Sequence, residues 1–266
     1  MTTPRTALIT GASSGIGAAT AAALAARGYR VIGTSRKPDA MADANRVPGV
    51  EYRALDLADP AAIETFAAEL GEIDVLINNA GESQAGPFEE LPIEAIAKLF
   101  QVNVFGQVRL TQLVLPGMRA RGRGHIIMIG SMLASFPLAY RSSYVATKAA
   151  LRGFADAMRR EVSPFGIAVT TVEPGSIDTG ISTRRSIHID ANSPYRAELD
   201  TVLTALERSE AKGISAEKVA DRIVRVIESP QPFVAVGSRA PLLFALRRLL
   251  PLPVMQRIVA AAHGLK

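Results

Sequence analysis

Short apolar runs alternate with longer helical patterns along most of the chain. The runs are nearly continuous stretches of Val, Ile, Leu and Ala, as expected of strands that are buried on both faces of a parallel sheet. The predicted strands are residues 5–10, 29–34, 51–57, 73–78, 125–131, 166–173 and 233–236. The predicted helices are residues 15–27, 60–70, 93–121, 142–163 and 216–228. This alternation predicts an α/β fold with a doubly wound parallel sheet and right-handed crossovers.

Capping and breaking residues support the helix boundaries. Asp59 is a suitable N-cap for a helix that starts at Pro60, and Gly28 is a suitable C-terminal stop for the first helix. The long third helix is expected to bend near Gly106 or Pro116.

Two stretches interrupt the alternation, and we expect both to belong to a single domain that spans residues 1–266. Residues 177–212 are polar and follow the sixth predicted strand, at the sheet edge where ligands bind in open α/β folds. They are predicted to form a small, partly helical, substrate-binding lid. Residues 239–266 form a tail rich in Leu, Pro and Arg.

Composition excludes several kinds of site. The 266 residues include no Cys, and the three His residues lie far apart, so neither disulfides, Cys nucleophiles nor a metal site is expected. The net charge is +5, but the basic residues are scattered, which argues against a nucleic-acid-binding face. No targeting segment is visible and no apolar run reaches about 18 residues, so we expect a cytoplasmic protein.

A glycine-rich loop joins the first strand to the first helix through Gly11, Gly15 and Gly17. Glycine permits a tight turn and lets backbone N–H groups approach a diphosphate, and the following helix N-terminus favours negative charge. The loop therefore indicates a dinucleotide site, although an ordinary strand-to-helix turn would show similar glycines.

The end of the second strand bears on the choice of dinucleotide. An acidic side chain there would bind a free ribose 2′-hydroxyl and repel a 2′-phosphate. The chain instead has Ser35 followed by Arg36 and Lys37, and a guanidinium can bind a phosphate bidentately. We therefore expect NADP(H) as the cofactor. The alternative is that both cations only solvate a loop.

Tyr144 and Lys148 lie four residues apart on a predicted helix and therefore share one face. The phenol of a free tyrosine has a pKa of about 10, and a neighbouring ammonium favours the phenolate, so such a pair suits proton transfer. Because Tyr-x-x-x-Lys also occurs by chance, the rest of the sequence must supply the context.

That context resembles the short-chain dehydrogenase/reductase family, in its single-domain branch. The loop has the spacing Gly-x-x-x-Gly-x-Gly, residues 78–81 are Asn-Asn-Ala-Gly, Ser131 precedes Tyr144 by 13 residues, and Pro174-Gly175 follows the sixth strand. The motifs keep the family's order over about residues 5–180, and the last helix and strand also fit. The resemblance implies a Rossmann-type fold. Ser14 departs from the pattern, because NADP-preferring relatives often have a basic residue there.

The resemblance also implies roles for individual residues. Tyr144 would donate the proton, Ser131 would hold the carbonyl oxygen, Lys148 would bind the nicotinamide ribose, and Asn103 would hold a water that links Lys148 to solvent. Ser135 is the local competitor of Ser131. The implied cofactor-binding residues are Gly11, Ser13, Ser14, Gly15, Ile16, Gly17, Ser35, Arg36, Asp56, Leu57, Asn79, Ala80, Gly81, Tyr144, Lys148, Pro174, Gly175, Ile177 and Thr179. The implied substrate-binding residues are Ser131, Met132, Leu133 and Tyr144.

We therefore expect an NADP(H)-dependent oxidoreductase that interconverts a ketone or aldehyde and an alcohol. Further candidate pocket walls (Phe136, Leu138, Tyr140 and Ile181) are mostly apolar and suit a steroid-, retinoid- or lipid-like substrate. The alternative is a non-catalytic NADP(H)-binding redox sensor on the same fold. A nucleotide-sugar epimerase fits less well, because those chains are usually longer and differ in glycine spacing.

The resemblance further implies a homodimer or homotetramer that forms through the central helices. The tail is expected to pack over the pocket or in a subunit interface. The alternative is that it lies on a membrane surface as an amphipathic helix.

Overall fold

A central sheet of seven parallel strands organises the computed structural model, which describes residues 4–178, 180–237 and 240–265. The strands of this sheet are β1 (Thr6–Ile9), β2 (Arg30–Ser35), β3 (Val50–Ala54), β4 (Val75–Asn78), β6 (Gly124–Ile129), β7 (Ile167–Pro174) and β11 (Phe233–Val236). Four short strands form two further two-stranded sheets: β5 (Gln84–Ala85), β8 (Ile177–Asp178), β9 (Ser186–Ile187) and β10 (Ile214–Ser215). The helices are α1 (Gly15–Ala25), α2 (Pro60–Ala68), α3 (Ile93–Phe100), α4 (Gly106–Ala120), α5 (Ser142–Val162), α6 (Arg196–Ala211), α7 (Ala216–Glu228), α8 (Ala240–Leu249) and α9 (Leu252–Ala262).

The strand order in the large sheet is β11-β7-β6-β4-β1-β2-β3, and every pair is parallel. The chain moves outward from β1 to β3 and then returns to β4 on the other side of β1. This reversal creates a crevice at the carboxyl ends of β1 and β4, where ligands bind in doubly wound sheets. The predicted doubly wound fold is confirmed.

Both faces of the sheet are covered by helices because successive apolar side chains of each strand point to opposite layers. In β1, Ala7 and Ile9 pack in the layer of α1 and α7, whereas Leu8 packs in the layer of α2, α4 and α5. All four residues of β1 are buried. Complete burial of a side chain such as Leu8 contributes about 1.5–3 kcal/mol, so the continuous apolar runs stabilise the three-layer arrangement.

The predicted start of α2 and the predicted bounds of the last strand are correct, whereas the predicted end of the third strand is wrong. Asp59 Oδ1 accepts hydrogen bonds from the N–H groups of Ala61 and Ala62 at 2.9 and 3.3 Å, and α2 starts at Pro60 as predicted. The last strand also has its predicted bounds. The third strand ends at Ala54 and not at residue 57, because Asp56 Oδ1 accepts a hydrogen bond from Ala58 N at 2.9 Å and turns the chain.

The predicted long third helix is divided into α3 and α4 by a π-helical segment, Gln101–Phe105. The irregular segment ends directly before Gly106, where a Cβ would lie 2.7 Å from Leu57 O. Pro116 lies inside α4 without interrupting it. Of the two alternatives predicted for the irregularity in this helix, the structure shows the one near Gly106.

The lid (residues 177–212) is partly helical, as predicted. Its short strands pair with the body of the protein, β8 with β10 and β9 with β5. Its helix α6 packs Val202 and Leu206 against Leu138, next to Val259 and Leu265 of the tail. These contacts hold the lid over the carboxyl edge of the sheet.

The tail contains α8 and α9, and residues 238 and 239 lie outside the part that the structure describes. The Phe244 ring packs edge-on against Phe136 and Phe233, with centroids 5.0 and 5.2 Å apart. The tail therefore packs on the body beside the loop that follows β6.

Candidate active site

The loops that follow β1, β2, β4, β6 and β7 lie at one edge of the sheet, because the strands are parallel. Helix α5 begins at the same edge. Most of the predicted site residues lie in these loops, and the structure brings together residues that are far apart in sequence. Half-buried predicted residues along this edge are Gly11, Ser13, Ser14, Gly15, Ile16, Ser35, Asn79, Ala80, Ser131, Met132, Leu133 and Gly175.

The glycine loop packs directly against the loop that follows β4. Gly11 has a φ of +66°, and a Cβ there would lie 2.9 Å from Ala80 Cα. A Cβ at Gly17 would lie 2.3 Å from Gly11 O. Asn79 Nδ2 donates hydrogen bonds to Thr10 O at 2.9 Å and to Gly11 O at 3.2 Å. Close backbone packing therefore requires these glycines, and Asn79 fixes the shape of the loop.

An arginine from the lid reaches the glycine loop. Arg184 Nη1 donates a hydrogen bond of 3.0 Å to Ser14 Oγ across 170 positions of sequence. Helix α1 begins at Gly15, with a φ of +55°, and its first turn has no acidic side chain. The helix N-terminus and the guanidinium both favour an anion here, so the geometry fits a diphosphate. The lid thus places a basic side chain next to Ser14.

The end of β2 carries cations that fit a phosphate. Arg36 has a side chain that is 70% exposed, and its Nη1 lies 3.3 Å from Glu82 Oε1. An exposed ion pair contributes at most about 1 kcal/mol. Arg36 can therefore leave Glu82 and bind a phosphate group instead. Ser35 Oγ accepts a hydrogen bond of 3.4 Å from Lys37 N, which holds the turn after the strand.

Two predicted cofactor residues have roles within the fold. The exposed Asp56 accepts the hydrogen bond from Ala58 N described above. Leu57 is 4% exposed, and its side chain lies in the core layer of α2 and α4, so only its backbone borders the loops. Leu57 O accepts a hydrogen bond of 3.0 Å from Gln101 Nε2, beside the π-helical segment.

Tyr144 and Lys148 lie together on the buried face of α5. Lys148 Nζ is 5.9 Å from the centroid of the Tyr144 ring and donates a hydrogen bond of 2.9 Å to Ile129 O at the end of β6. Burial lowers the pKa of Lys148 below its ordinary value, and the charge of Tyr144 partly offsets this shift. A Cβ at Gly81 would lie 3.6 Å from Nζ, so glycine leaves room beside the ammonium.

Ser131 directly follows β6. Its Oγ accepts a hydrogen bond of 3.2 Å from Leu133 N and caps a short 3₁₀ turn, Met132–Ala134. The hydroxyl accepts this hydrogen bond through a lone pair, so its own proton can still be donated to a carbonyl oxygen.

Ser135, the local competitor, lies in an internal network. Its Oγ donates a hydrogen bond of 2.9 Å to Glu173 Oε2 and accepts one of 2.7 Å from Arg152 Nη1. The Glu173 side chain is fully buried, and burial raises its pKa while Ser135 and Arg152 oppose that shift. Ser135 is thus committed to a buried carboxylate, which favours Ser131 as the hydroxyl of the site.

Asn103 lies in the π-helical segment and is fully buried. Its Oδ1 accepts a hydrogen bond of 2.8 Å from Glu82 N, and its Nδ2 donates to Glu82 O at 3.0 Å and to Thr147 Oγ1 at 3.2 Å. A Cβ at Gly81 would lie 3.3 Å from Asn103 Oδ1. Asn103 and Lys148 thus converge on Gly81, and the π-helical segment places the amide there.

The segment of predicted cofactor-binding residues that follows β7 is only partly described. Pro174 is buried at the end of β7, and Gly175 N donates to Val236 O at 2.8 Å. A Cβ at Gly175 would lie 3.1 Å from Met132 Sδ, so this glycine approaches the predicted substrate side. Ile177 is 6% exposed and packs in the core layer of α7. Thr179 lies outside the described residues.

Of the six predicted walls, Tyr140 and Ile181 are half-buried, and the other four divide into two groups. Met132 and Leu133 are half-buried next to Ser131. Phe136 and Leu138 are 6% and 4% exposed, because the tail and the lid cover them. Next to Leu138, a cavity of about 500 Å³ lies between the start of α5 and α9.

The sequence did not reveal a cluster of three polar residues that reaches Tyr144 through Arg141. They are Arg141, directly before α5, Ser83 in the loop after β4, and Arg185 in the lid. Arg141 Cζ lies 4.6 Å from the centroid of the Tyr144 ring. Arg141 lies three residues before Tyr144, so its position is a local signal in the sequence. Ser83 and Arg185 give no such signal, because 102 positions separate them.

Comparison with known proteins extends this picture. A family model described as short chain dehydrogenase matches residues 5–189. The 3-ketodihydrosphingosine reductase of Bacteroides thetaiotaomicron is 35% identical over 250 residues, which are 91% of each chain. A short-chain dehydrogenase structure from Streptomyces avermitilis has a TM-score of 0.82 at 33% identity and covers 96% of this chain and 97% of that one. A short-chain dehydrogenase from Sphingobium yanoikuyae in complex with NADPH has a TM-score of 0.71 at 32% identity, with 92% and 94% covered.

Proposed function

This chain belongs to the short-chain dehydrogenase family, and on that basis we propose that it is an NADP(H)-dependent enzyme that interconverts a lipophilic ketone or aldehyde and its alcohol. One observation carries the proposal. Tyr144 and the buried ammonium of Lys148 lie side by side on α5, whose start lies near Ser131 at the carboxyl edge of the sheet. This set combines a proton donor, a cation and a hydroxyl that can bind a carbonyl oxygen.

The residues divide the work of carbonyl reduction. NADPH, when bound, supplies the hydride that reduces the carbonyl carbon. Ser131 donates a hydrogen bond to the carbonyl oxygen, and Tyr144 transfers its phenolic proton to that oxygen. Lys148 stabilises the negative charge that develops on the Tyr144 oxygen, and Asn103 holds the backbone beside Lys148 in place. Alcohol oxidation uses the same groups in reverse.

Two cations, Arg36 and Lys37, support the choice of NADP(H) over NAD(H), and a third, Arg184, suits the diphosphate that both cofactors carry. Arg36 and Lys37 follow β2 where an acid would favour NAD(H), and Arg184 lies on the glycine loop. The Sphingobium yanoikuyae neighbour was solved with NADPH. We therefore assign Arg36 to the 2′-phosphate and Arg184 to the diphosphate.

A lipophilic substrate is supported by the half-buried Met132 and Leu133 beside Ser131. A relative at 35% identity is named as a reductase of 3-ketodihydrosphingosine, a long-chain ketone. Both observations favour a substrate with an extended apolar part.

A second copy of the chain is the proposed partner. On the outer face of α5 the Phe154 side chain is 46% exposed, and Phe105, just before α4, is 53% exposed. Ala146, Ala149 and Gly153 are exposed small residues that share one face of α5, and Phe154 lies at the side of that face. Two such faces would bury these rings in an isologous interface.

Membrane contact and location are also proposals. Among the helices of the described residues, none is long and apolar enough to cross a membrane. The tail exposes Leu242, Leu249 and Leu252 near Arg247 and Arg248, so we propose that this face contacts a membrane surface if substrate is collected there. Co-sedimentation with anionic vesicles tests it. A cytoplasmic location remains a prediction.

The test is the initial rate of NADPH oxidation over a panel of ketones and aldehydes, from small polar compounds to steroids and retinal, with the corresponding alcohols and NADP⁺ in reverse. We expect turnover that rises with substrate hydrophobicity. NADPH binding without turnover of any carbonyl or alcohol would favour the non-catalytic redox sensor.

A further inference from the structure

Two buried guanidinium groups meet at one serine beside Tyr144. Arg141 Nη2 donates a hydrogen bond of 2.9 Å to Ser83 Oγ, and Arg185 Nε donates one of 3.4 Å to the same atom. Arg141 is 3% exposed and the side chain of Arg185 is 2% exposed. The Arg141 guanidinium also lies over the Tyr144 ring, with Cζ 4.6 Å from the ring centroid. The cluster therefore adjoins the proton donor of the proposed reaction.

Among the residues that the structure describes, the positive charges of this cluster outnumber the negative ones. Glu210 on α6 pairs with Arg185, with Oε1 2.7 Å from Nη2, and is the carboxylate that the structure provides to this pair of arginines. Lys148, whose Nζ lies 5.9 Å from the centroid of the Tyr144 ring, adds a third buried cation. Burial, and then the charge of Arg185, lower the pKa of Arg141 to about 10. A buried cation without its own counterion is costly, so such a site favours an incoming anion.

Arg141 also has unused hydrogen-bonding capacity. Its Nε is buried and has no hydrogen-bond partner among the described residues. Ser83 Oγ accepts one hydrogen bond from each guanidinium, which uses both of its lone pairs. It therefore cannot accept hydrogen bonds from the remaining N–H groups of the two arginines. A carboxylate or phosphate offers several acceptor atoms and matches the planar fork of a guanidinium.

We propose that Arg141 and Arg185 bind an anionic group of the substrate, a carboxylate or a phosphate ester, next to the reacting carbonyl. The inference rests on the proposed function and narrows its substrate class. Together with the apolar side chains beside Ser131, an anion site here favours an amphiphilic substrate. Such a substrate has an apolar chain, a carbonyl group and an acidic group a few atoms from that carbonyl. Arg185 belongs to the lid, so the same anion would connect the lid to α5.

A purely structural role predicts something different. If the cluster only ties the lid to the body, neutral and acidic substrates will respond equally to its removal. Matched pairs of substrates separate the two roles. One pair is 4-oxododecanoate and its methyl ester, and a second is a long-chain ketone with a phosphate ester and the same ketone with a free hydroxyl.

The variants are Arg141→Met and Arg185→Met, with Arg208→Met as the control, an exposed arginine on the same helix as Glu210. The wild type should favour the acid over the ester in kcat/KM. Both variants should lose about 10- to 100-fold in kcat/KM for the acid and much less for the ester. Arg208→Met should behave like the wild type. Equal losses for acid and ester, or a wild-type preference for the ester, would overturn the proposal.

Calorimetric titration of 4-oxododecanoate into the NADPH complex gives a readout that does not depend on turnover. Binding that weakens in Arg185→Met supports the proposal even if Arg141→Met fails to fold, and unchanged binding contradicts it. Turnover of the ester without preference for the acid would overturn this inference and leave the proposed function intact. Absence of turnover for every pair would instead contradict the proposed function, and the titration would still decide the anion site.

Discussion

Arg184 of the lid donates a hydrogen bond of 3.0 Å to Ser14 of the glycine loop. The contact brings a cation of the lid to the N-terminus of α1, where negative charge is favoured. We therefore expect cofactor binding and lid position to be coupled through Arg184.

Replacing Arg184 tests that coupling. We expect Arg184→Ala to weaken NADPH binding about 5- to 20-fold, because a charge-assisted hydrogen bond to a phosphate oxygen contributes more than a neutral one. Arg184→Lys should restore part of the loss. Fluorescence titration of NADPH measures both, with Arg196→Ala on the same lid as the control. Equal affinities for Arg184→Ala and the wild type would contradict the assignment.

Arg36 should control the choice between the two cofactors. Arg36→Ala is expected to weaken NADPH binding about 10-fold or more and to leave NADH binding nearly unchanged, since only NADPH carries the 2′-phosphate. Glu82→Gln, which releases Arg36 from its ion pair, should leave NADPH binding unchanged or strengthen it. A loss of both cofactors to the same extent in Arg36→Ala would show that the residue does not read the phosphate.

His125 should make stability depend on pH. Its Nε2 lies 2.8 Å from Thr170 Oγ1 inside the sheet, and burial, aided by the charge of Arg5, lowers its pKa to about 4. The unfolded chain, with an ordinary histidine pKa of about 6.5, binds the proton between these values and the folded protein does not. Stability is therefore complete above pH 6.5 and falls as the pH decreases toward 4, by about 2 kcal/mol between pH 7 and pH 5.

Urea unfolding at pH 7 and pH 5 measures this effect in the wild type and in His125→Gln. The wild type should lose about 2 kcal/mol more than the variant over this range. The same pH dependence in both proteins would assign the loss to other groups.

The outer face of α5 should carry the subunit interface. Phe154→Glu places a charge on the proposed isologous face, where the two copies would bring like charges together. Sedimentation velocity should show an assembly for the wild type and monomers for the variant. Phe165→Glu, at another exposed Phe, serves as the control. A wild type that sediments as a monomer would contradict the predicted homo-oligomer.

Sequence reasoning succeeded where the signal is local. Tyr144 and Lys148 share a helix face because they are four residues apart, and continuous apolar runs follow from strands covered on both faces. It failed where tertiary contacts decide. The Ser14–Arg184 contact joins residues 170 positions apart, and nothing in either segment points to the other.

Backbone irregularities were only partly predictable. The bend near Gly106 was expected, but not that it would be a π-helical segment with Asn103 at its centre. The early end of β3 depends on the turn made by Asp56. The clustering of Arg141, Ser83 and Arg185 depends on how the lid folds back, which local periodicity does not report.

The most direct test of the account is to compare Tyr144→Phe with the wild type in NADPH-dependent carbonyl reduction, with NADPH affinity measured on the same samples. Phenylalanine keeps the ring that packs beside Lys148 and Arg141 and removes only the proton donor. We predict that kcat falls about 100-fold or more, while the dissociation constant for NADPH stays within about threefold. A kcat of the variant within a few-fold of the wild type would contradict the assignment of Tyr144 as the proton donor.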